Sequence, residues 1–537
     1  MIPRYFAALG LLLGAAYALL MGPFRIPDET GHMYRSYLVS EGICRGVPAI
    51  GALVDFNHLD RFPWTPVPPG STGPDLLKFV DDSQHRPLTL ISLFYAVNLY
   101  SCLPYVPAGI AFRAGRFFTE SPLILLYLGR FANLLAFLLL VLLAMRLLPD
   151  FQLPIALLAL MPMSLHQAGS LSADAVTIGV SFALTAWLLR LATAHPAAPL
   201  TRRAYLLLAA AMIVAGLCKS SAGLAFLLIL IPEARFPNRR TRWLAIAGLI
   251  LLAYGTVGAW QLINQPNGEV YTTLKAAAGV YLNDNAAAIL HRPFYFLGHV
   301  LHTIQWKTFI YLEQFVGVLG LLEIRLPAWI IAGWLLMLAA VSVTNVALPR
   351  LTRRGRLILI AIFLLNVGSL LAAFWTTETP RQMQKFYAIV IYGRYLIPFA
   401  LLPMVAIAGL APRVRLQRVR LQNVALVFAV LVNLVALRLV WNAYQAHTST
   451  LPNRIDMALH LKFGNGPDTA PLRYDNLLVR RPGSEVEDSK VYVIRGGQRH
   501  WIVNGRWLEA NGYAWPADVN TIPAQDLAAI PEGAPIQ

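Results

Sequence analysis

The chain has 537 residues, of which 57% are hydrophobic and only 13% charged, with a formal net charge of +17. So apolar a composition, arranged in repeated runs of about 20 residues, excludes an ordinary soluble domain and reads as an all-α polytopic membrane protein. The positive excess does not point to nucleic acid, because the arginines cluster between apolar runs: Arg235, Arg239, Arg240 and Arg242; Arg350, Arg353, Arg354 and Arg356; Arg413, Arg415, Arg418 and Arg420. Short basic loops between spans mark the cytoplasmic side, with attraction to anionic headgroups as a side effect.

Tyr5–Gly22 is the first predicted span. Arg4 supplies its positive flank and no small-x-small cleavage site follows, so it reads as a retained helix with a cytoplasmic N-terminus. Residues 23–87 then form a large first extracytoplasmic loop carrying Asp55, His58, Asp60, Asp75, Asp81, Asp82 and His85. Loops of such length without strong periodicity are usually functional. Leu88–Phe112 is apolar but interrupted by Pro104 and Pro107, and spanning, re-entrant and surface placements all stay open.

Leu123–Met145, Leu153–Leu171 and Val176–Arg190 read as spans. Tyr205–Ile231 lies between two basic loops and must leave and return, yet is short for two crossings. A helical hairpin broken at Cys218–Gly223, with Lys219 at its outer tip, meets both constraints. The later spans are Trp243–Leu262, Ala328–Leu348, Leu357–Phe374, Ile389–Leu410 and Val424–Trp441, with 293–321 left open. The total is about 11 to 13 transmembrane helices, forming a membrane domain over 1–444. Residues 263–326, 375–388 and the tail fall on the extracytoplasmic side. A linker over 445–483 leads to a small β-rich extracytoplasmic domain over 484–537, signalled by Lys490–Ile494 and His500–Val503 around turns at Gly496-Gly497 and Asn504-Gly505. Of three cysteines, Cys44 and Cys102 are placed outside and could pair, although two distant cysteines set no framework; Cys218 reads as packing.

The stretch Pro27-Asp28-Glu29-Thr-Gly-His32-Met-Tyr-Arg35 is the strongest chemical signal. Acids at a membrane boundary are costly and point to a functional site. Pro27 suits a first helical turn, and from there Asp28, His32 and Arg35 share a face at spacings of four and three, with Glu29 beside them. On the same side lie Asp81, Asp82, His85, Asp174, Lys219, Arg381, Lys385, Arg394 and Tyr395, with His166 and Gln167 two turns before Asp174 and Glu313 in an amphipathic stretch. Acids and cations together at a lipid–water boundary suit transfer from a lipid-linked phosphate to a hydroxyl. A carboxylate takes the proton and cations receive the departing phosphate. No tight metal-binding spacing is present; a divalent cation, Mg or Mn, held by acids and phosphate is compatible but not required. Each residue also has a plainer reading: Asp174 as a helix cap, Lys219 snorkelling to headgroups, Arg394-Tyr395 as an interfacial anchor, Asp81-Asp82 as a solvated turn, His166 as a core histidine.

Pro27-Asp28-Glu29-x-x-His32-x-x-Arg35 followed by Glu41-Gly42, the stretch Met161–Asp174, and Gly393-Arg394-Tyr395-x-x-Pro398 resemble the motifs of domain-of-unknown-function family 2142, bacterial polytopic membrane proteins. That family in turn resembles the GT-C class of integral-membrane glycosyltransferases, which carry an acidic pair in the first external loop and use polyprenyl-phosphate sugars. The resemblance implies Asp28 or Glu29 as catalytic base; the reading adopted has Asp28 as base, Glu29 orienting it or taking that role, and His32 and Arg35 holding the carboxylates. The resemblance also implies Asp174 as second acidic position and Lys219 and Arg394 as phosphate contacts; on the adopted reading Arg381 would join them. The acceptor would be a cell-envelope glycan or lipid-linked molecule at the outer face of the bacterial inner (plasma) membrane. Residues 484–535, with Ile530-Pro-Glu-Gly533, resemble a module appended to bacterial cell-surface proteins. The rival readings are a lipid-linked glycan transporter or flippase, an envelope glycan polymerase or ligase, and a scaffold presenting the C-terminal domain.

Overall fold

A computed structural model describes residues 2–46, 96–119, 121–194, 198–277, 280–344, 351–379, 389, 391–410 and 418–444. In the tail it describes 478–481, 490–495, 498–503, 507–508, 519–521, 527–528 and 530–536. The chain divides into two compact units, Met1–Gln445 and Ala446–Gln537. Six helices are long and apolar enough to cross a membrane: Ile2–Leu20, Leu123–Leu147, Asp174–Thr193, Arg239–Ile263, Arg353–Glu378 and Arg420–Ala443. Ala328–Val343 is a shorter apolar helix, and Pro293–Val316 forms a continuous helix over the segment left open in the sequence.

The first helix packs antiparallel on Pro122–Leu147. Gly10 meets Leu138, Gly14 meets Leu134, and the Ala18 carbonyl meets Arg130, so four-residue steps up one helix match four-residue steps down the other. Gly10 is needed for this approach, since a Cβ there would stand 2.6 Å from Leu138. Asp174–Thr193 lies on the other side of Pro122–Leu147, with Gly179 against Leu140.

Two expected spans are not continuous helices, and the hairpin expected between them in the chain is broken. Leu153–Leu171 is two short helices, Gln152–Ala159 and Pro162–Ala168. Pro162 has no N–H and its ring displaces the preceding turn. The released carbonyls find partners: Leu158 accepts from Ser164 Oγ at 2.7 Å and Leu160 from Asn433 Nδ2 at 2.9 Å. Tyr205–Ile231 breaks where expected, into helix Arg202–Leu217 and a ten-residue 3₁₀ helix, Ser221–Leu230, with Ser220 at φ 59° between them. A 3₁₀ run of that length is unusual and marks a strained or functional segment. Ile389–Leu410 is instead a 3₁₀ turn, Gly393–Phe399, then a short helix, Leu401–Ala406, with Pro398 and Pro403 preventing a longer one. Most of the two short helices from Gln152 to Ala168, of the 3₁₀ helix Ser221–Leu230 and of residues 397–406 is buried, where irregular backbone is shielded from lipid. Arginines complete the backbone accounting at helix ends. Arg235 donates to the carbonyls of Leu191, Ala194 and Ala198, Arg242 to Ile229 and Ile231, and Arg356 to Ala406.

Leu88–Phe112 is described from residue 96, as 3₁₀ turns Ala96–Leu99 and Leu103–Tyr105 leading into helix Val106–Gly115. Cys44 and Cys102 form a disulfide that ties this strap to the end of helix Glu29–Ser40. Trp260 and Asn264 hold the strap from the other side, through the carbonyls of Leu99 and Asn98.

The second unit contains a four-stranded sheet in the order Gln498–Trp501, Tyr492–Arg495, Leu478–Arg480, Val519–Thr521. The first two form the expected antiparallel hairpin, with Arg495 opposite Gln498. Leu478–Arg480 pairs parallel with Val519–Thr521 and lies in the stretch read as linker, where three residues carry no legible alternation. Val479, Ile494, Leu527 and Ile530 pack on one face, and Leu478, Val493, Ile502 and Leu508 on the other.

Candidate functional site

Helix Glu29–Ser40 starts one residue after Asp28, which holds a left-handed conformation at φ 61° and ψ 11°. Asp tolerates this region better than most L-residues, and such strain at a non-glycine often marks a functional position. Asp28 lies outside the helix in this left-handed turn, whereas Glu29 is the first helical residue, so the two adjacent acids separate. Asp28 is exposed to solvent, while Glu29 turns inward.

Glu29 is fully committed. Its carboxylate accepts from Arg130 Nη2 at 2.6 Å and Nε at 2.9 Å, from the Phe24 amide at 3.1 Å and from the Leu171 amide at 3.3 Å. Both side chains of the pair have 0% exposure. Arg130 also donates to the carbonyls of Ala18, Met21 and Gly22, which closes the C-terminal end of the first helix. Arg130 escaped the reading of the sequence, although a lone arginine within an apolar run is itself a signal.

Asp174, the first residue of its helix, is positioned by the turn before it. Ser170 Oγ donates to the Gln167 carbonyl at 2.7 Å, Ser172 N donates to Ser170 Oγ, and Asp174 N donates to Ser172 Oγ at 3.1 Å. The Leu171 amide inside this turn is the one bound by Glu29, so the two acids are linked through one loop. Asp174 Oδ1 lies 3.2 Å from Lys219 Nζ, and Oδ2 lies 3.7 Å from Arg394 Nε. Lys219 sits at the break before the 3₁₀ helix, with Nζ 4.0 Å from the Tyr395 ring centre and 5.0 Å from that of Tyr100. Arg394 lies over Tyr392 at 4.8 Å and Tyr395 at 5.1 Å. Gly393 is required here: a Cβ would run into the Tyr311 carbonyl, and its amide donates to Gln314 at 2.9 Å. Arg394 Nε and Nη1 are buried without a hydrogen-bond partner among the described residues.

His32 is buried, with Nδ1 2.9 Å from Tyr105 Oη. Burial holds its pKa down to about 4; the charges of Lys219 and Arg394 act the same way, against Asp28 and Asp174. The ring is therefore neutral at pH 7. The Asp28 carboxylate acts electrostatically on His32, Tyr392 and Arg394 but has no hydrogen-bond or ion-pair partner among the described residues.

Among the described residues Arg35 holds no carboxylate, contrary to the expectation. It donates to the carbonyls of Cys44 at 2.7 Å and Tyr100 at 3.2 Å and lies over Tyr105, because it points along the helix towards the disulfide-tied strap. Asp28, His32, Asp174, Lys219, Arg394 and Tyr395 are thus brought together, with Glu29 and Arg35 turned to structural partners. Asp81, Asp82, His85, Arg381 and Lys385 lie outside the described residues. Glu313 pairs with Arg325, and His166 is a core histidine beside Gln167. Tyr100, Tyr105 and Tyr392 were not foreseen, since aromatic residues in apolar segments carry no signal until the cations beside them are placed.

With Glu29 held by Arg130 and Asp174 by two cations, the described acids do not converge as cation ligands, and no group of three His, Cys, Asp or Glu able to hold a metal occurs among the described residues. The arrangement instead offers a free carboxylate beside a cation pair with spare donors.

No curated protein and no solved structure matches the chain. A family model described as "Predicted membrane protein (DUF2142)" matches residues 81–403, and the chain belongs to that family.

Proposed function

We propose that the protein is a GT-C-type glycosyltransferase. It moves a sugar from a polyprenyl-phosphate donor to a hydroxyl of a cell-envelope glycan or lipid-linked acceptor, at the extracytoplasmic face of the bacterial inner membrane. Asp28 is the base. It takes the proton of the acceptor hydroxyl as the oxygen attacks the anomeric carbon, on the face opposite the phosphate. The bond from that carbon to the phosphate oxygen breaks, and its electron pair leaves on the polyprenyl phosphate. Arg394 and Lys219 receive the developing charge. Arg394 supplies a planar donor fork with nitrogens still unpartnered, and Asp174 keeps both cations in place until the phosphate arrives.

The observation that carries this reading is the contrast between three acids. Glu29 and Asp174 are held by cations, and Asp28 stands free beside them in a strained conformation. No step requires a metal. The experiment is sugar transfer by the purified full chain from a radiolabelled polyprenyl-phosphate donor. Asp28→Asn should lower turnover by about 10²-fold or more, with the protein still folded; full activity in that variant would remove the mechanism. The three broken helical segments also suit a lipid-linked glycan transporter. Scrambling of the donor in proteoliposomes without any covalent product would favour that reading.

A further inference from the structure

Far from Asp28, a groove of about 550 Å³ runs between helices Arg202–Leu217 and Arg239–Ile263. The two helices lie parallel, with Gly216 pressed against the Ala253 carbonyl and Thr256 at one end. Towards their N-terminal ends they diverge, and Leu206, Ala209, Ala245 and Leu249 line the opening. Gly248 forms its floor, and a Cβ there would meet nothing within 4 Å. A mid-helix glycine is destabilising by about 1 kcal/mol relative to alanine, and no neighbouring side chain uses the space that this one leaves.

The groove has one polar end, at Arg202 and Tyr205. Arg235 and Arg242 at this end are spent on carbonyls, and of the exposed arginines here Arg202 is the one that lines the groove. Arg202 is exposed and makes no hydrogen bond or ion pair among the described residues. The Tyr205 hydroxyl is shielded from solvent and has no hydrogen-bond partner among the described residues. An open apolar groove, bounded at one end by helix contact and headed by a guanidinium and a hydroxyl without partners among the described residues, fits an acyl chain with an anionic head.

We infer that this groove binds an anionic glycerophospholipid, with one acyl chain along Ala209, Ala245 and Gly248 and the headgroup phosphate on Arg202 and the Tyr205 hydroxyl. Charge complementarity selects an anionic over a zwitterionic headgroup, and the apolar walls exclude free phosphate as the ligand. The site is separate from the Asp174–Lys219–Arg394 cluster. Lys219 follows the far end of the same helix, whose 16 residues span about 24 Å.

The test is lipid binding to the delipidated full chain in detergent, read by native mass spectrometry with phosphatidylglycerol and phosphatidylcholine of identical acyl chains. Phosphatidylglycerol should bind at least about tenfold tighter, and Arg202→Gln should remove that preference. Gly248→Leu, which enters open space, should weaken both lipids while the elution profile and helical content stay unchanged. Inorganic phosphate at millimolar concentration should not compete. Equal binding of the two lipids, unchanged binding in Gly248→Leu, or full competition by phosphate would overturn the assignment. None of these outcomes depends on transferase activity.

Discussion

Glu29→Gln is the perturbation that separates structure from chemistry most sharply. The carboxylate is fully buried, takes two hydrogen bonds from Arg130 and accepts two backbone amides. Neutralising it leaves the Arg130 charge uncompensated in the interior, a change worth about 3–5 kcal/mol. Arg130→Met removes the same charge pair and also strips donors from the Ala18, Met21 and Gly22 carbonyls, so it should destabilise at least as strongly. In the double variant no unpaired charge remains, and its loss should fall short of the summed single losses by about 1–3 kcal/mol. Asp28→Asn next door should change stability by no more than about 0.5 kcal/mol, because the side chain is exposed and Asn accepts the left-handed conformation. The assay is denaturant unfolding of the purified protein in one detergent, run on all four variants. Wild-type stability in Glu29→Gln, or marked unfolding in Asp28→Asn, would refute the division of labour between the two acids.

His32 is held neutral by burial, with a pKa near 4 against an ordinary value near 6.5. Between those values the unfolded chain binds a proton that the native site refuses, so stability rises with pH across that window and is lost on acidification. Unfolding midpoints measured from pH 7 to pH 4 should show this slope, and His32→Asn should flatten it. Arg394→Lys keeps the charge but loses the planar fork, and should raise the KM for a polyprenyl-phosphate donor about tenfold or more; an unchanged KM would take Arg394 off the phosphate. Cys44 and Cys102 are 58 residues apart, and loop-closure entropy sets an upper estimate of about 4 kcal/mol for their bond. Cys44→Ser with Cys102→Ser should therefore lower the unfolding midpoint, and added dithiol should do so in the wild type but not in the variant.

The long spans were legible because an uninterrupted apolar run leaves a helix as the one way to satisfy backbone in lipid. Trp243–Leu262 and Leu357–Phe374 both lie inside longer helices for that reason. The breaks at Pro162, Pro398 and Pro403 were less legible, since hydropathy counts side chains and not backbone donors. Asp28 and His32 are electrostatic neighbours, but Asp28 stands before the helix and not on one of its faces with His32 and Arg35, as the spacing had implied. The adjacency of Asp28 and Glu29 misled, because Asp28 stands in a left-handed turn before the helix that Glu29 begins, which points the two side chains apart. Whether Glu29 or Asp28 faces the cavity depended on Arg130, more than 100 residues away. Lys219 and Arg394 were found as isolated cations; their meeting at Asp174 follows from the broken segments that carry them.

A structure of the full chain with bound polyprenyl phosphate tests the account most directly. The phosphate is expected within hydrogen-bonding distance of the Arg394 guanidinium and Lys219 Nζ, with the Asp28 carboxylate facing the space where a sugar would sit. A phosphate bound away from both cations, or on the far side of them from Asp28, would contradict it.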